Sequence, residues 1–373
     1  MRASRLILPS LVLLFALEVG AQIELDIQVF QAQRFDGEAK RQRNYGFSST
    51  GKYIWLVDDR SKLFVWLSGN HSLVFTKDKV SSQVSFNADD ELMIVSTKQQ
   101  SEILNVASGT TRALLEKKLQ EDRSPEWIPG TNDVAAWIDK SGLGFFSSDN
   151  GRLRDVLAEN SKGSIWRYMA VSRDGKWIMT SEDENHRLWE ISSKQPATQT
   201  FAAYFDPTFS PDGRYLGVVG APDGHADWVE LLDLKKMALV NVLPQYSGRI
   251  VEWSPDSQKF ITDRTSDEVT KNEAILWKLD GTRMAVIKTY SKHCFDFVST
   301  CISDSDQFHF SPDGKILMVS NKKGIRFLDP NNAALISVPP DIEGPAFWSP
   351  DGSHILAMDK ISKTLAVWNF KSV

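Results

Sequence analysis

Three sets of residues in this chain have types and spacings that could do chemistry. The first is histidine and cysteine. The six His stand at 71, 186, 225, 293, 309 and 354, in different parts of the chain and without ligand spacing. No metal site and no cofactor follow from that pattern. The two cysteines, Cys294 and Cys301, are only seven residues apart. They lack Cys-x-x-Cys spacing, and with one nearby His293 they do not complete a four-ligand zinc site. In an oxidising compartment the expected product is a Cys294–Cys301 disulfide closing a small loop.

The second set is a series of aspartates, Asp174, Asp212, Asp256, Asp313 and Asp351. Each stands in the phrase Ser-Pro-Asp-Gly or a close variant. Pro presets φ at the second position of a type I turn, Asp suits the third, and Gly accepts the left-handed conformation at the fourth. The carboxylates therefore read as turn formers, and no catalytic residue is assigned. The third set is arginine. An aromatic or apolar residue leads each phrase, at 47, 86, 127, 171, 209, 253, 310 and 348. Four residues earlier stand Arg43, Ser82, Arg123, Arg167, Phe205, Arg249, Asp306 and Gly344. Arg43, Arg123, Arg167 and Arg249 would suit an anionic ligand by forked hydrogen bonds, if the fold gathers them. Alternatively each pairs with a neighbouring carboxylate such as Asp122, Asp206, Asp306 or Glu343. There is no Gly-x-Ser-x-Gly elbow, no Gly-Lys-Ser/Thr phosphate loop and no His-Glu-x-x-His helix.

The elements that must position these residues follow from the same phrases. An aromatic residue before the turn and an apolar run after it make a β-hairpin. After Phe310 to Leu317 come Gly324 to Asp329, a polar turn at Pro330-Asn331-Asn332, and Ala333 to Val338. That is four short strands in about forty residues, the pattern of a β-propeller blade. The gaps between lead positions are 39, 41, 44, 38, 44, 57 and 38. Eight phrases predict an all-β, eight-bladed propeller of four-stranded antiparallel blades, forming a single domain over 22–373. The long gap marks an insertion at about 291–307, which holds both cysteines. The eighth unit ends with a third strand at 364–370. Residues 23–31 alternate apolar and polar and have no hairpin partner, so this N-terminal strand is expected to close the ring. Innermost strands run along the channel of a propeller, so the Arg column would crowd one of its mouths.

Arg2 and Arg5 precede an apolar run from Leu6 to Leu17, and Val19-Gly20-Ala21 supplies small residues for cleavage. Residues 1–21 read as a signal peptide, too short in its apolar core to span a bilayer comfortably. Export to a periplasm or the medium follows, without stable membrane insertion. Cleavage removes two Arg and one Glu and leaves a net charge of −6. A mildly acidic chain without a basic run points away from nucleic acid.

The units resemble the WD-repeat-like β-propeller repeats of TolB-like exported bacterial proteins. The resemblance rests on the aromatic-Ser-Pro-Asp-Gly phrases at 209–213, 310–314 and 348–352, with weaker copies over nearly all of the mature chain. The Trp-Asp ending of true WD repeats is approximated by Trp189-Glu190, Trp277-Lys278 and Trp368-Asn369. Its Gly-His pair is absent at the matching places, so the hydrogen-bond network of that family is not carried over. The TolB-like N-terminal domain has no counterpart in this sequence. The resemblance implies fold and is nearly silent on function. The expected role is an exported, non-catalytic binding scaffold for a protein, peptide or envelope component. The alternative is an exported propeller enzyme, lactonase-, lyase- or glycosidase-like, with its site at the central channel.

Overall fold

The computed structural model describes residues 23–24 and 44–372, apart from 98, 120–123, 139–140, 160–165, 183–184, 198–200, 203–204, 221–227, 245–247, 264–272 and 290–305. The described residues contain strands and no α-helix. They form eight consecutive antiparallel sheets. These are the eight blades, and blade n contains the nth lead phrase. Blades 1, 2, 3, 5, 6 and 7 each pair four strands in sequence order. In blade 4 the outermost strand is split, with Gln195–Pro196 and Phe201–Ala202 both pairing Asn185–Glu190. Blade 8 shows three strands, Ile342–Trp348, His354–Asp359 and Leu365–Asn369.

The first and last described residues of the chain pair with each other. Ile23 pairs with Ser372 and Glu24 with Lys371. This short pair lies just beyond the 364–370 strand expected to receive it, and residues 25–31 are outside the described set. Gln307, at the predicted end of the insertion, instead opens the strand Gln307–Phe310 of blade 7.

Each turn phrase folds as its residue types require. In blade 4 the Gly175 N–H donates to Ser172 O at 2.9 Å, and Gly175 takes φ 70°. A Cβ there would lie 2.3 Å from Pro129 O of blade 3. Glycine is thus required twice, by its own turn and by the adjoining one. The same fourth position meets the preceding blade elsewhere. Gly51 abuts Pro350, and Gly213 abuts Asp174. Where glycine is missing, a side chain makes the joint. Ser257, at φ 59°, accepts the Asp212 N–H on its Oγ at 3.1 Å. Asp90, at φ 61°, accepts from Ser48 Oγ at 2.5 Å and Thr50 N–H at 3.1 Å. The turns therefore interlock on one face of the ring.

The core is distributed over the seams. Radial sheets bury both faces against neighbours, and eight apolar clusters form, one between each pair of adjacent blades. Blades 1 and 2 share Tyr53, Val65, Phe86 and Met93, and blades 7 and 8 share Phe327, Ile325, Ile355 and Trp368. The eighth cluster joins Tyr45, Ile54 and Leu56 of blade 1 to Leu356, Met358 and Val367 of blade 8. Side-chain packing closes the ring at that seam. The Tyr45 hydroxyl donates to Pro345 O across it.

Two third-strand tryptophans tie down their own blades. Trp189 Nε1 donates to Thr180 Oγ1, and Trp277 Nε1 donates to Thr262 Oγ1, both at 2.9 Å. In blade 8 the matching pair is Trp368 and Ala357, by register. Trp368 Nε1 is buried with no hydrogen-bond partner among the described residues. A buried, unmet donor costs about 1–3 kcal/mol. Ala357→Thr is expected to supply the missing hydroxyl and raise stability by ~1 kcal/mol in urea unfolding. A loss would show that the site lacks room for the two extra atoms.

Candidate site at the central channel

The first strand of each blade lies innermost. Glu126–Trp127 adjoins both Val80–Phe86 and Trp166–Val171. The series continues through Phe205–Phe209, Arg249–Trp253, Gln307–Phe310 and Ile342–Trp348 to Asn44–Phe47. These strands ring the axis and run from one face to the turn face.

Arg249 is the first residue of its innermost strand, and Arg167 is the second of its own. Arg43 and Arg123 lie outside the described residues, as do the side chains of Arg167 and Arg249. The side chain of the column's Asp306 is buried. Its carboxylate accepts from Asn321 Nδ2 and lies 3.6 Å from Arg326 Nη2. Glu343 lies 2.8 Å from Lys363 Nζ. Cys294 and Cys301 fall outside the described residues, as do His225, His293 and Asp122.

The channel also gathers residues that spacing did not single out. They occupy the position just before the lead residue: Glu126 in blade 3, Glu252 in blade 6 and His309 in blade 7. The only hint in sequence is the repeated pair Glu126-Trp127 and Glu252-Trp253. Glu126 Oε2 accepts the Val171 N–H of blade 4 at 3.0 Å. Burial raises its carboxyl to about 7, partly offset by that hydrogen bond. Glu252 sits likewise against blade 7. Burial raises it to about 8, partly offset by the Phe310 N–H.

His309 Nδ1 lies 4.0 Å from Glu252 Oε2. The two are not an ion pair at neutral pH. Burial lowers the imidazole to about 4 and keeps it uncharged, while the carboxyl holds its proton. Their side chains are 29% and 27% exposed, although protein surrounds them on most sides. That combination describes the wall of an internal space. Phe347 of blade 8 stands 5.5 Å from the His309 ring, and His309 Nε2 has no hydrogen-bond partner among the described residues. A neutral acid beside a neutral imidazole can donate and accept protons without first paying for charge separation.

Hydrogen bonds stitch the inner strands into a girdle. Trp127 Nε1 donates to Ser85 O at 3.1 Å, Trp253 Nε1 to Thr208 Oγ1 at 3.1 Å, and Trp348 Nε1 to His309 O at 3.3 Å. Each reaches from one blade to the blade before it.

The turn aspartates behave as turn formers. Asp313 Oδ1 accepts from Ser311 Oγ at 2.6 Å and from the Lys315 N–H at 3.1 Å. Asp351 is partly buried, which raises its carboxyl. Hydrogen bonds from Ser349 and Ser353 outweigh this and bring it down to about 2. A pocket of about 240 Å³ opens on the turn face between blades 1 and 8, lined by His71, His354, Asp351, Thr50 and Phe47. Burial, and then the nearby His354, lower the His71 imidazole. Among the described residues no group of three or more His, Cys, Asp or Glu is arranged to hold a metal ion. Nor is any helix among them long and apolar enough to cross a membrane.

No family model matches the chain, and no curated protein does. Solved structures match over most of its length. BamB from Moraxella catarrhalis is 12% identical with a TM-score of 0.61, over 88% of this chain and 99% of that one. The computationally designed Ika8 protein is 12% identical at 0.62, over 90% and 98%. A chain of the Mitotic Checkpoint Complex is 16% identical at 0.55, over 88% and 99%. At these identities the likeness concerns the fold alone. The chain is an eight-bladed β-propeller.

Proposed function

We propose that this protein is an exported, non-catalytic scaffold that binds a protein, peptide or envelope component at the channel mouth opposite the turns. The observation that carries the reading is the position of the Arg column on the innermost strands, with Arg249 opening one strand and Arg167 standing second in another. Arg43 and Arg123 extend the same column in sequence. Guanidinium groups gathered at one mouth would take carboxylates or phosphates two oxygens at a time. The apolar leader at 6–17 supports export. A propeller within a structure named Mitotic Checkpoint Complex supports assembly as a use of this fold, by likeness of fold only.

The test is capture from an envelope extract on immobilised 22–373, repeated with Arg43→Ala/Arg249→Ala. An anionic partner should be retained by the first and at least tenfold less by the second, with unchanged circular dichroism. Retention should also fall as salt is raised. A captured partner indifferent to both changes would remove the Arg mouth from the proposal.

One observation favours the enzyme reading, the uncharged Glu252–His309 pair at the channel wall. In that reading Glu252 is the general acid. Turnover of a chromogenic glycoside or lactone, abolished by Glu252→Gln, would establish it.

A further inference from the structure

The outermost strand of a blade is a sheet edge, and edges left open recruit other strands. Most blades here protect that edge. Strands Leu73–Lys77, Thr111–Leu114, Leu153–Glu159 and Arg283–Lys288 carry Lys77, Arg112, Arg154 and Asp155, and Arg283 and Lys288. Blade 4 places Pro196 there, and blade 7 has only the three residues Leu335–Ser337. Blade 5 differs. Its outermost strand, Ala238–Val242, has no charged residue and no proline. Met237, Leu239, Val240 and Val242 are exposed by 38%, 54%, 46% and 47%, four of the nine large exposed apolar residues among those described. No second strand pairs with it among the described residues. The Val242 N–H donates to the adjacent Asn241 Oδ1 at 2.8 Å, as the Val156 N–H of blade 3 does to Asp155 Oδ1 at 2.9 Å.

We propose that Ala238–Val242 is a strand-addition site for an extended, apolar segment of a partner protein, with an acidic residue at the end beside Lys235 and Lys236. The inference rests on the scaffold reading and names a second surface for it. Backbone valence selects a strand, because only an extended chain repeats donors and acceptors at the spacing of the edge. Exposed Leu239, Val240 and Val242 select apolar side chains at alternate positions. Charge selects the acidic end: Lys235 and Lys236 are both exposed, and neither has a carboxylate within ion-pair distance among the described residues. A rigid second copy fits less well than a flexible segment. The strand bulges at Val240, between the pairs Leu231–Asn241 and Leu232–Leu239. Two copies related by a twofold axis would set bulge against bulge, whereas a free segment can bend to follow one.

The probe is the peptide Val-Thr-Val-Thr-Val-Glu-Asp, labelled at its N-terminus and titrated into 22–373 by fluorescence anisotropy. Antiparallel addition, the mode of every described strand pair, sets its acidic end beside Lys235 and Lys236. Hydrogen exchange is followed on the same samples. Binding should be saturable and should slow exchange at the Val242 amide. A peptide with Pro for its central Val should bind at least tenfold more weakly. Leu239→Lys/Val242→Lys changes exposed positions and should weaken binding at least tenfold. Lys235→Glu/Lys236→Glu, away from the edge backbone, should weaken it at least threefold and favour a peptide ending Lys-Lys. Equal binding by these variants, no binding at all, or no slowing at 238–242 would overturn the proposal. So would a concentration-dependent dimer abolished by the edge variant, which would assign the edge to a second copy. Loss of the edge proposal would leave the envelope partner on the column, so the two failures are distinguishable.

Discussion

At pH 9, Glu252→Gln should be more stable than the parent protein by about 3–5 kcal/mol, while at pH 5 the two should match within ~1 kcal/mol. The reason is the largely enclosed carboxyl of Glu252 in blade 6, 27% exposed but surrounded by protein. Its ordinary value is 4.5, and burial raises it to about 8 in the folded protein. A group raised on folding stabilises fully below its unfolded value. That contribution drains away as pH rises through the folded value, here between about 4.5 and 8. Glutamine is neutral throughout and keeps an oxygen for the Phe310 N–H. Glu126, raised to about 7, acts in the same direction and leaves a residual alkaline slope in the variant. His309 acts oppositely. Its imidazole is lowered from 6.5 to about 4, so it costs stability as pH falls through that window. Maximal stability should fall in the mildly acid range. Urea midpoints from pH 4 to 9 for both proteins check this, and parallel curves would refute the protonated state of Glu252.

Phe327→Ala should destabilise by about 3–5 kcal/mol, the usual cost of emptying a fully buried aromatic site. Phe327 has no exposed surface and lies between blades 7 and 8. Its ring centroid is 5.9 Å from that of Trp348 and 5.6 Å from that of Phe370. If the ring unfolds as one unit, the melting temperature falls by about 5 °C, since a large unit spreads the loss over a large unfolding entropy. Leu335→Ala in the same blade is the control. That side chain is 61% exposed and should cost under about 0.5 kcal/mol. A similar loss for both would show that Phe327 is not packed as described.

Blade count and strand order were legible because the turn phrase obeys local rules. Pro, Asp and Gly act within four residues, and the apolar runs beside them alternate with the pleat. Asp90 shows where local reading stops. The phrase Asn87-Ala88-Asp89-Asp90 looks degenerate, yet Asp90 adopts glycine's conformation and bonds to blade 1. Its partner, Ser48, is 42 residues away. Glu252 and His309 are 57 residues apart and meet only because consecutive blades stand side by side. Nothing in either neighbourhood signals the other. The missing hydroxyl opposite Trp368 is equally silent, since Ala357 is an ordinary core residue until strand register aligns it with Thr180 and Thr262. The outer edge of blade 5 reads simply as a strand. Its exposure depends on no other described strand being packed outside it.

The eight seam clusters have a mechanical corollary. Each blade is held on two sides, so no blade can leave the hoop without breaking two apolar clusters. One seam, however, can gape at the cost of a single cluster. Among the described residues the cluster between blades 4 and 5 is the smallest, built on Met179, Leu188, Leu216, Val218, Leu232 and Leu234. At the girdle position this seam has Ala170, and only Gly46 and Phe347, of blades 1 and 8, likewise offer no polar side chain there. Breathing of the hoop should therefore open one seam at a time, and limited proteolysis that nicks the connection between two blades before it releases any whole blade would show it.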